Sequence, residues 1–165
     1  AFNFTDIKAI KDATKWLESG KLRVSYAMTG KEPWRVYSTG SNYSPTAVTG
    51  GGFAYSYLGG NPELKPETSK NFETGVELSF LKDRLSFDFN YYNLLSVDQI
   101  INPRLPYAGG FVLKLINGGT VRNRGIEVLV SGKPVLAKNF SWTSTLTYSR
   151  YRCKVVEIAQ NLPEL

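Results

Sequence analysis

The chain has no histidine and a single cysteine, Cys153, among 165 residues. Without imidazole, Ser-His and Cys-His nucleophiles are excluded; with one thiol, so are an intrachain disulfide and the usual zinc sites. No catalytic residue, metal or cofactor is therefore expected. No run approaches the ~18 consecutive apolar residues of a membrane helix. Basic excess is modest, with 20 Lys and Arg against 14 Asp and Glu and a net charge of +6. The bases are scattered, as Lys8, Lys11, Lys15, Lys21, Arg23, Lys82, Arg84, Arg122 and Arg124 illustrate. A nucleic-acid partner would need them clustered along one face or run. No dinucleotide fingerprint is present, and Gly132-Lys133 lacks the upstream glycine of a phosphate loop and is followed by Pro134.

What the chain does have is aromatic residues, ten Tyr and nine Phe, and sustained alternation. In residues 61–93, Phe72, Thr74, Val76, Leu78 and Phe80 alternate with Asn71, Glu73, Gly75, Glu77 and Ser79. After four residues, Leu85, Phe87, Phe89 and Tyr91 alternate with Ser86, Asp88, Asn90 and Tyr92. Period two with separated apolar and polar faces marks strands that touch something apolar on one side only. Each run is about nine residues, which suits a tilted strand crossing a bilayer. The same pattern places Leu22, Val24, Tyr26 and Met28 together in 21–29, and Ile126, Val128 and Val130 together from Asn123. A brief turn is expected at 132–139, after which Phe140, Trp142, Leu146 and Tyr148 share a face. Residues 1–5 alternate as the tail of a strand. Thr5 caps an expected amphipathic helix bearing Ile7, Ile10, Trp16 and Leu17, which Gly20 ends.

These runs predict an all-β fold: an antiparallel up-and-down transmembrane β-barrel segment of about five to six strands, with one short periplasmic helix. Closure takes at least ~8 strands, so residues 1–165 are expected to be part of a larger barrel domain. Connections at 81–84 and 132–139 are short, and those at 30–70 and 94–122 are long. Outer-membrane barrels keep short turns in the periplasm, which puts Gly20, Lys82 and Lys138 there. Phe80, Phe87, Phe140 and Trp142 then form an inner aromatic girdle, with Phe72, Tyr91 and Tyr148 nearer the outer one. Lipid, including lipopolysaccharide, is the expected neighbour of the apolar faces.

Residues 61–77, NPELKPETSKNFETGVE, resemble the loop-to-strand signature in the barrel of TonB-dependent outer-membrane receptors. Segments 20–30, 83–93, 117–127 and 139–148 resemble, in the same order, pieces of the SusC/RagA-type branch. The resemblance runs from about Trp16 onward. It implies the outer membrane of a Gram-negative bacterium and energised import of a glycan or oligopeptide. It also implies a SusD-like surface lipoprotein as partner, and a plug domain and TonB-contacting N-terminal region that are not evident in these residues. A siderophore or cobalamin receptor of the same fold is one alternative. A soluble β-sandwich carbohydrate-binding module is another, and it requires the apolar faces to bury against each other.

Glu73, Glu77, Asp88 and Glu127 are expected on one polar face, where two carboxylates could suit a glycosidase; alternation toward a watery interior accounts for them without catalysis. Binding is assigned to the long loops. Trp34, Tyr37, Tyr43, Tyr55 and Tyr57 in the first, with Tyr107 and Phe111 in the second, offer flat faces for sugar rings or peptide side chains, and equally for packing the loops together.

Overall fold

The computed structural model describes residues 1–7, 14, 16–47, 50–106, 108 and 110–158. Ten strands follow in order: β1 (Phe2–Asn3), β2 (Leu17–Lys31), β3 (Tyr43–Thr46), β4 (Gly52–Tyr55), β5 (Leu58–Gly59), β6 (Glu67–Phe80), β7 (Leu85–Ile101), β8 (Leu113–Lys114), β9 (Ile116–Ala137) and β10 (Phe140–Ile158). Six form one sheet in the order β1-β2-β6-β7-β9-β10. β1 pairs antiparallel with β2, with Phe2 opposite Leu22. The long strands hold 14 to 22 residues, more than the ~9 to 11 that a tilted membrane crossing needs.

The alternating runs fold as expected, and their boundaries move outward. β9 runs on to Ala137 through Pro134, so the β9 to β10 turn is Lys138-Asn139 rather than 132–139. β10 continues past Arg150 to Ile158. The β6 to β7 turn holds Leu81, Lys82 and Asp83 at φ of 56, 58 and 60°, the left-handed region that costs non-glycine residues energy. Two hydrogen bonds offset that cost: Ser79 Oγ donates to the Asp83 carboxylate, and Arg84 N donates to Phe80 O at 3.1 Å.

The expected N-terminal helix falls mostly on residues 8–13 and 15, which lie outside the described residues. Its described ends differ from the expectation: Phe4–Asp6 form a 3-10 turn, and from Leu17 the chain is already the strand β2, so Gly20 does not end a helix. Thr5 lies within the 3-10 turn, and its buried hydroxyl accepts a hydrogen bond from Gly20 N at 3.1 Å. Gly20 lies inside β2, where a Cβ would fall 2.2 Å from Phe4 Cζ, so its bare backbone is the seat for that ring. Trp16 stacks on Phe80 at a centroid distance of 5.5 Å and 11° between planes. Both belong to the expected short-turn end.

The chain divides into two units. The first comprises 1–27, 70–94 and 123–153, and the second 28–69, 95–122 and the chain from Lys154. In the first unit the two faces separate cleanly. Arg23, Glu77, Asp88 and Asn90 hydrogen-bond on one side, as do Ser131 and Thr145, 3.1 Å apart. Alternation then puts Val24, Phe89, Val128 and Leu146 on the other. Phe89, Val76 and Val128 are half-buried and Leu146 is 70% exposed. These faces do not close on each other, which removes the soluble sandwich. Among the described residues Leu115 is the one buried hydrophobic side chain, at 1% exposure.

The second unit is more ordered than its composition suggests. β3 and β4 form an antiparallel hairpin, with Tyr43 opposite Tyr55. β5 and β8 pair in parallel, with Leu58 opposite Leu113.

Candidate functional site

On the polar face of the first unit, three adjacent strands converge on one guanidinium. From β2, Arg23 donates through Nη1 to Glu77 of β6. Through Nη2 it reaches both carboxylate oxygens of Asp88 on β7, at 3.0 and 3.2 Å, and Asn90 Oδ1 at 2.9 Å. Asn90 returns a bond from Nδ2 to Asp88 at 2.9 Å, and Lys21 Nζ lies 3.5 Å from Glu77. Thr74 Oγ1 donates to the Arg23 carbonyl at 3.2 Å. Gly75 makes room for this cluster, because a Cβ there would fall 2.2 Å from Asn90 Oδ1.

Glu73 and Glu127 line a cavity of about 570 Å³ beside the cluster, with Arg23, Gly75, Asn90 and Tyr92. All four expected carboxylates therefore share one face. Arg23 stands between Glu77 and Asp88 and engages both, so this pair is a structural tie rather than an acid and base flanking open space. Among the described residues no group of acidic or cysteine side chains could hold a metal ion.

In the second unit the described loop aromatics include exposed rings and one packed ring. Trp34 is 69% exposed, with the Arg35 guanidinium 5.4 Å from its ring centroid, a cation–π distance. Tyr37 is 81% exposed at a φ of 58°, and Tyr43 and Tyr57 are also exposed. Phe111 is half-buried and packs over Gly59, where a Cβ would meet its ring at 2.9 Å. Tyr55 is placed by its backbone pairing in β4. Tyr107 lies outside the described residues. A small cavity lined by Arg35, Ser38, Asn42, Ser44 and Leu115 holds about 80 Å³, room for two or three waters at ~30 Å³ each and not for a sugar.

Asn117 went unremarked as a contact residue in the sequence, and it ties the loop signature down. Its Oδ1 accepts from Lys65 N at 2.8 Å, and its Nδ2 donates to Lys65 O at 2.8 Å and Asp98 O at 2.9 Å. Glu67 Oε1 accepts from Ile100 N at 2.9 Å, two residues beyond Asp98, which sits at a φ of 55°. Asn61 Oδ1 accepts from Glu63 N at 3.0 Å, a local Asx turn. The quoted segments 61–77 and 117–127 thus meet physically at Lys65 and Asn117. A polar side chain pairing with a distant peptide group leaves no periodic trace in sequence.

A sheet of long strands with one apolar exposed face and one charged face, joined by short turns and long folded loops, defines a membrane-spanning β-barrel wall. The chain belongs to the TonB-dependent receptor family: the model for "TonB dependent receptor-like, beta-barrel" matches residues 8–162. Such receptors are outer-membrane β-barrels of Gram-negative bacteria and transporters rather than enzymes. TonB-dependent receptor P39 of Formosa agariphila is 34% identical over 141 residues, 84% of this chain and 14% of that protein. TonB-dependent receptor SusC of Bacteroides thetaiotaomicron is 24% identical over 136 residues, 74% of this chain and 13% of that protein. The RagAB peptide importer in its closed-closed state superposes with a TM-score of 0.84 at 22% identity, over 98% of this chain and 18% of that one. The siderophore receptor PirA of Pseudomonas aeruginosa reaches 0.50 at 25% identity, over 80% of this chain and 25% of that one. The expected SusC/RagA-like character is therefore borne out, and the chain spans about one-seventh of the length of the curated relatives it matches.

Proposed function

We propose that residues 1–165 form one stretch of barrel wall, with its surface loops, in a longer receptor that imports a nutrient across the outer membrane. The observation that carries this reading is the family match over residues 8–162. The superposition on a peptide importer over 98% of the chain agrees with it. Energy comes through TonB, the plug domain lies elsewhere in the receptor, and a SusD-like lipoprotein closes over the long loops. The cargo is an oligopeptide or a glycan, engaged by the exposed rings of Trp34, Tyr37, Tyr43 and Tyr57. Tyr55 and Tyr107 join this surface on sequence grounds, whereas Phe111 serves loop packing. A siderophore cargo draws less support, since the siderophore receptor matches at 0.50 rather than 0.84.

Uptake by cells carrying the full-length receptor tests the reading. Labelled oligopeptides and oligosaccharides are offered beside a ferric siderophore, with a TonB-deficient strain as control. TonB-dependent uptake of peptide or glycan is expected. Uptake of the siderophore alone would transfer the receptor to the other branch.

A further inference from the structure

The clasp at Asn117 guards a chemically vulnerable bond. Asn117 is the one asparagine in the chain that glycine follows; the others precede Phe, Tyr, Leu, Arg or Pro. A backbone nitrogen can attack the preceding asparagine's carboxamide, and glycine, without a Cβ, leaves that nitrogen unshielded and its backbone free to turn. Hydroxide takes the Gly118 amide proton, and the nitrogen bonds to Asn117 Cγ. The Cγ–Nδ2 bond breaks, and Nδ2 leaves as ammonia with a proton from water. Water then adds to either carbonyl of the cyclic imide, and ring opening leaves aspartate or isoaspartate.

The folded contacts oppose each part of that reaction. Asn117 Nδ2 donates to Lys65 O at 2.8 Å and Asp98 O at 2.9 Å, while Oδ1 accepts from Lys65 N at 2.8 Å. The carboxamide therefore cannot swing over the next peptide. Asn117 lies within β9, and ring closure needs a ψ far from the extended value. Gly118 is buried, and a Cβ there would fall 2.2 Å from Ile101 Cδ1, so the backbone has no room to turn. Two residues past Lys65, Glu67 Oε1 accepts from Ile100 N at 2.9 Å and pins the same segment. Both β7 and β9 have neighbours on either side, so the clasp sits inside the sheet rather than at its edge.

We propose that Asn117-Gly118 is a deamidation site held closed by its own clasp, and that release of segment 61–67 from Asn117 starts an irreversible loss of that clasp. Aspartate has no hydrogen to donate to Lys65 O or Asp98 O and sets a negative charge against both carbonyls. Isoaspartate adds a main-chain carbon two residues from Leu115, the buried side chain whose backbone N donates to Gly59 O at 3.3 Å. Either product leaves the loop segment untied. The proposal is independent of the cargo.

The test incubates the full-length receptor at mildly alkaline pH, folded in detergent or unfolded in urea. Trypsin then releases residues 115–122 and 139–150, whose asparagine, aspartate and isoaspartate forms are separated by liquid chromatography and mass spectrometry. Asn139, exposed in the β9 to β10 turn and followed by Phe140, is the internal reference. In urea, Asn117 should be modified well ahead of Asn139. Folding should slow Asn117 by about 100-fold, at roughly fivefold for each hydrogen bond of the clasp. Lys65→Pro removes the N–H that Oδ1 accepts; it should quicken the folded reaction about fivefold and leave the unfolded rate unchanged. Heat-modifiable mobility is the folding control, and if this variant does not fold, Glu67→Ala, which frees the same segment from Ile100 N, gives the same reading.

Equal rates in the folded and unfolded parent would overturn the proposal. So would an unchanged rate in a folded clasp variant, or modification of Asn139 ahead of Asn117 in urea. Modified receptor that keeps full amide-exchange protection at Lys65 would show that the product still holds the loop, and would overturn the irreversible release.

Discussion

Arg23 on β2 reaches past the intervening strand β6 to hold both carboxylate oxygens of Asp88 on β7, at 3.0 and 3.2 Å. One side chain thereby ties three strands across the polar face, at residues 65 apart in the chain. Their side chains are 37% and 30% exposed, so water and salt screen the pair and its value is that of a partly exposed ion pair.

A double-mutant cycle on Arg23→Ala and Asp88→Ala in the full-length receptor should give a coupling of about 0.5–1 kcal/mol. Urea unfolding read by heat-modifiable mobility measures it. The coupling should shrink as salt is raised, and a salt-independent value would mean that packing rather than charge links the strands.

Gly75→Ala should disturb the same cluster from below. Its methyl would lie 2.2 Å from Asn90 Oδ1 and 3.1 Å from the Phe89 carbonyl, an overpacking expected to cost about 1–3 kcal/mol. Adding Asn90→Ala removes the first contact and should recover part of the loss. A Gly75→Ala receptor as stable as the parent would show that the cluster yields freely.

Replacing Leu146 or Val128 with Arg tests which face meets lipid. At mid-membrane depth each should destabilise the receptor by about 2–4 kcal/mol, whereas Thr145→Lys on the polar face should be tolerated. Equal costs on the two faces would contradict the assignment.

Asn117→Asp separates the two halves of the loop clasp. The aspartate keeps an acceptor for Lys65 N but loses both donated bonds, to Lys65 O and Asp98 O. Amide exchange around Lys65 should quicken as in Asn117→Ala, by about tenfold for each ~1.4 kcal/mol of lost local stability. Protection unchanged in both variants would show that Pro62 and Pro66 hold the loop without the clasp.

Much of this molecule was legible in its residues because a strand between lipid and water must alternate. The Leu22 to Met28 row, the 71–80 and 85–92 hairpin and the Phe140 to Tyr148 row all declare their faces without a partner in view. Strand ends were less legible. Residues 116–122 and 132–137 pair as β9 although Gly118, Gly119 and Pro134 interrupt the pattern there, because backbone pairing with neighbours outweighs local propensity. The expected helix end at Gly20 missed for a related reason: at Leu17–Gly20 the sheet competes for the backbone and wins, as β2.

Chain order and alternation alone determined the all-β class and the two faces of the strands, since each depends on neighbours one or two residues away. Only the tertiary structure decided that Arg23 joins Glu77 to Asp88 and that Asn117 clasps Lys65. Those contacts join residues 52 to 65 positions apart. Strand order and register bring them together, and both are settled by pairing across the sheet rather than by any pattern within one strand.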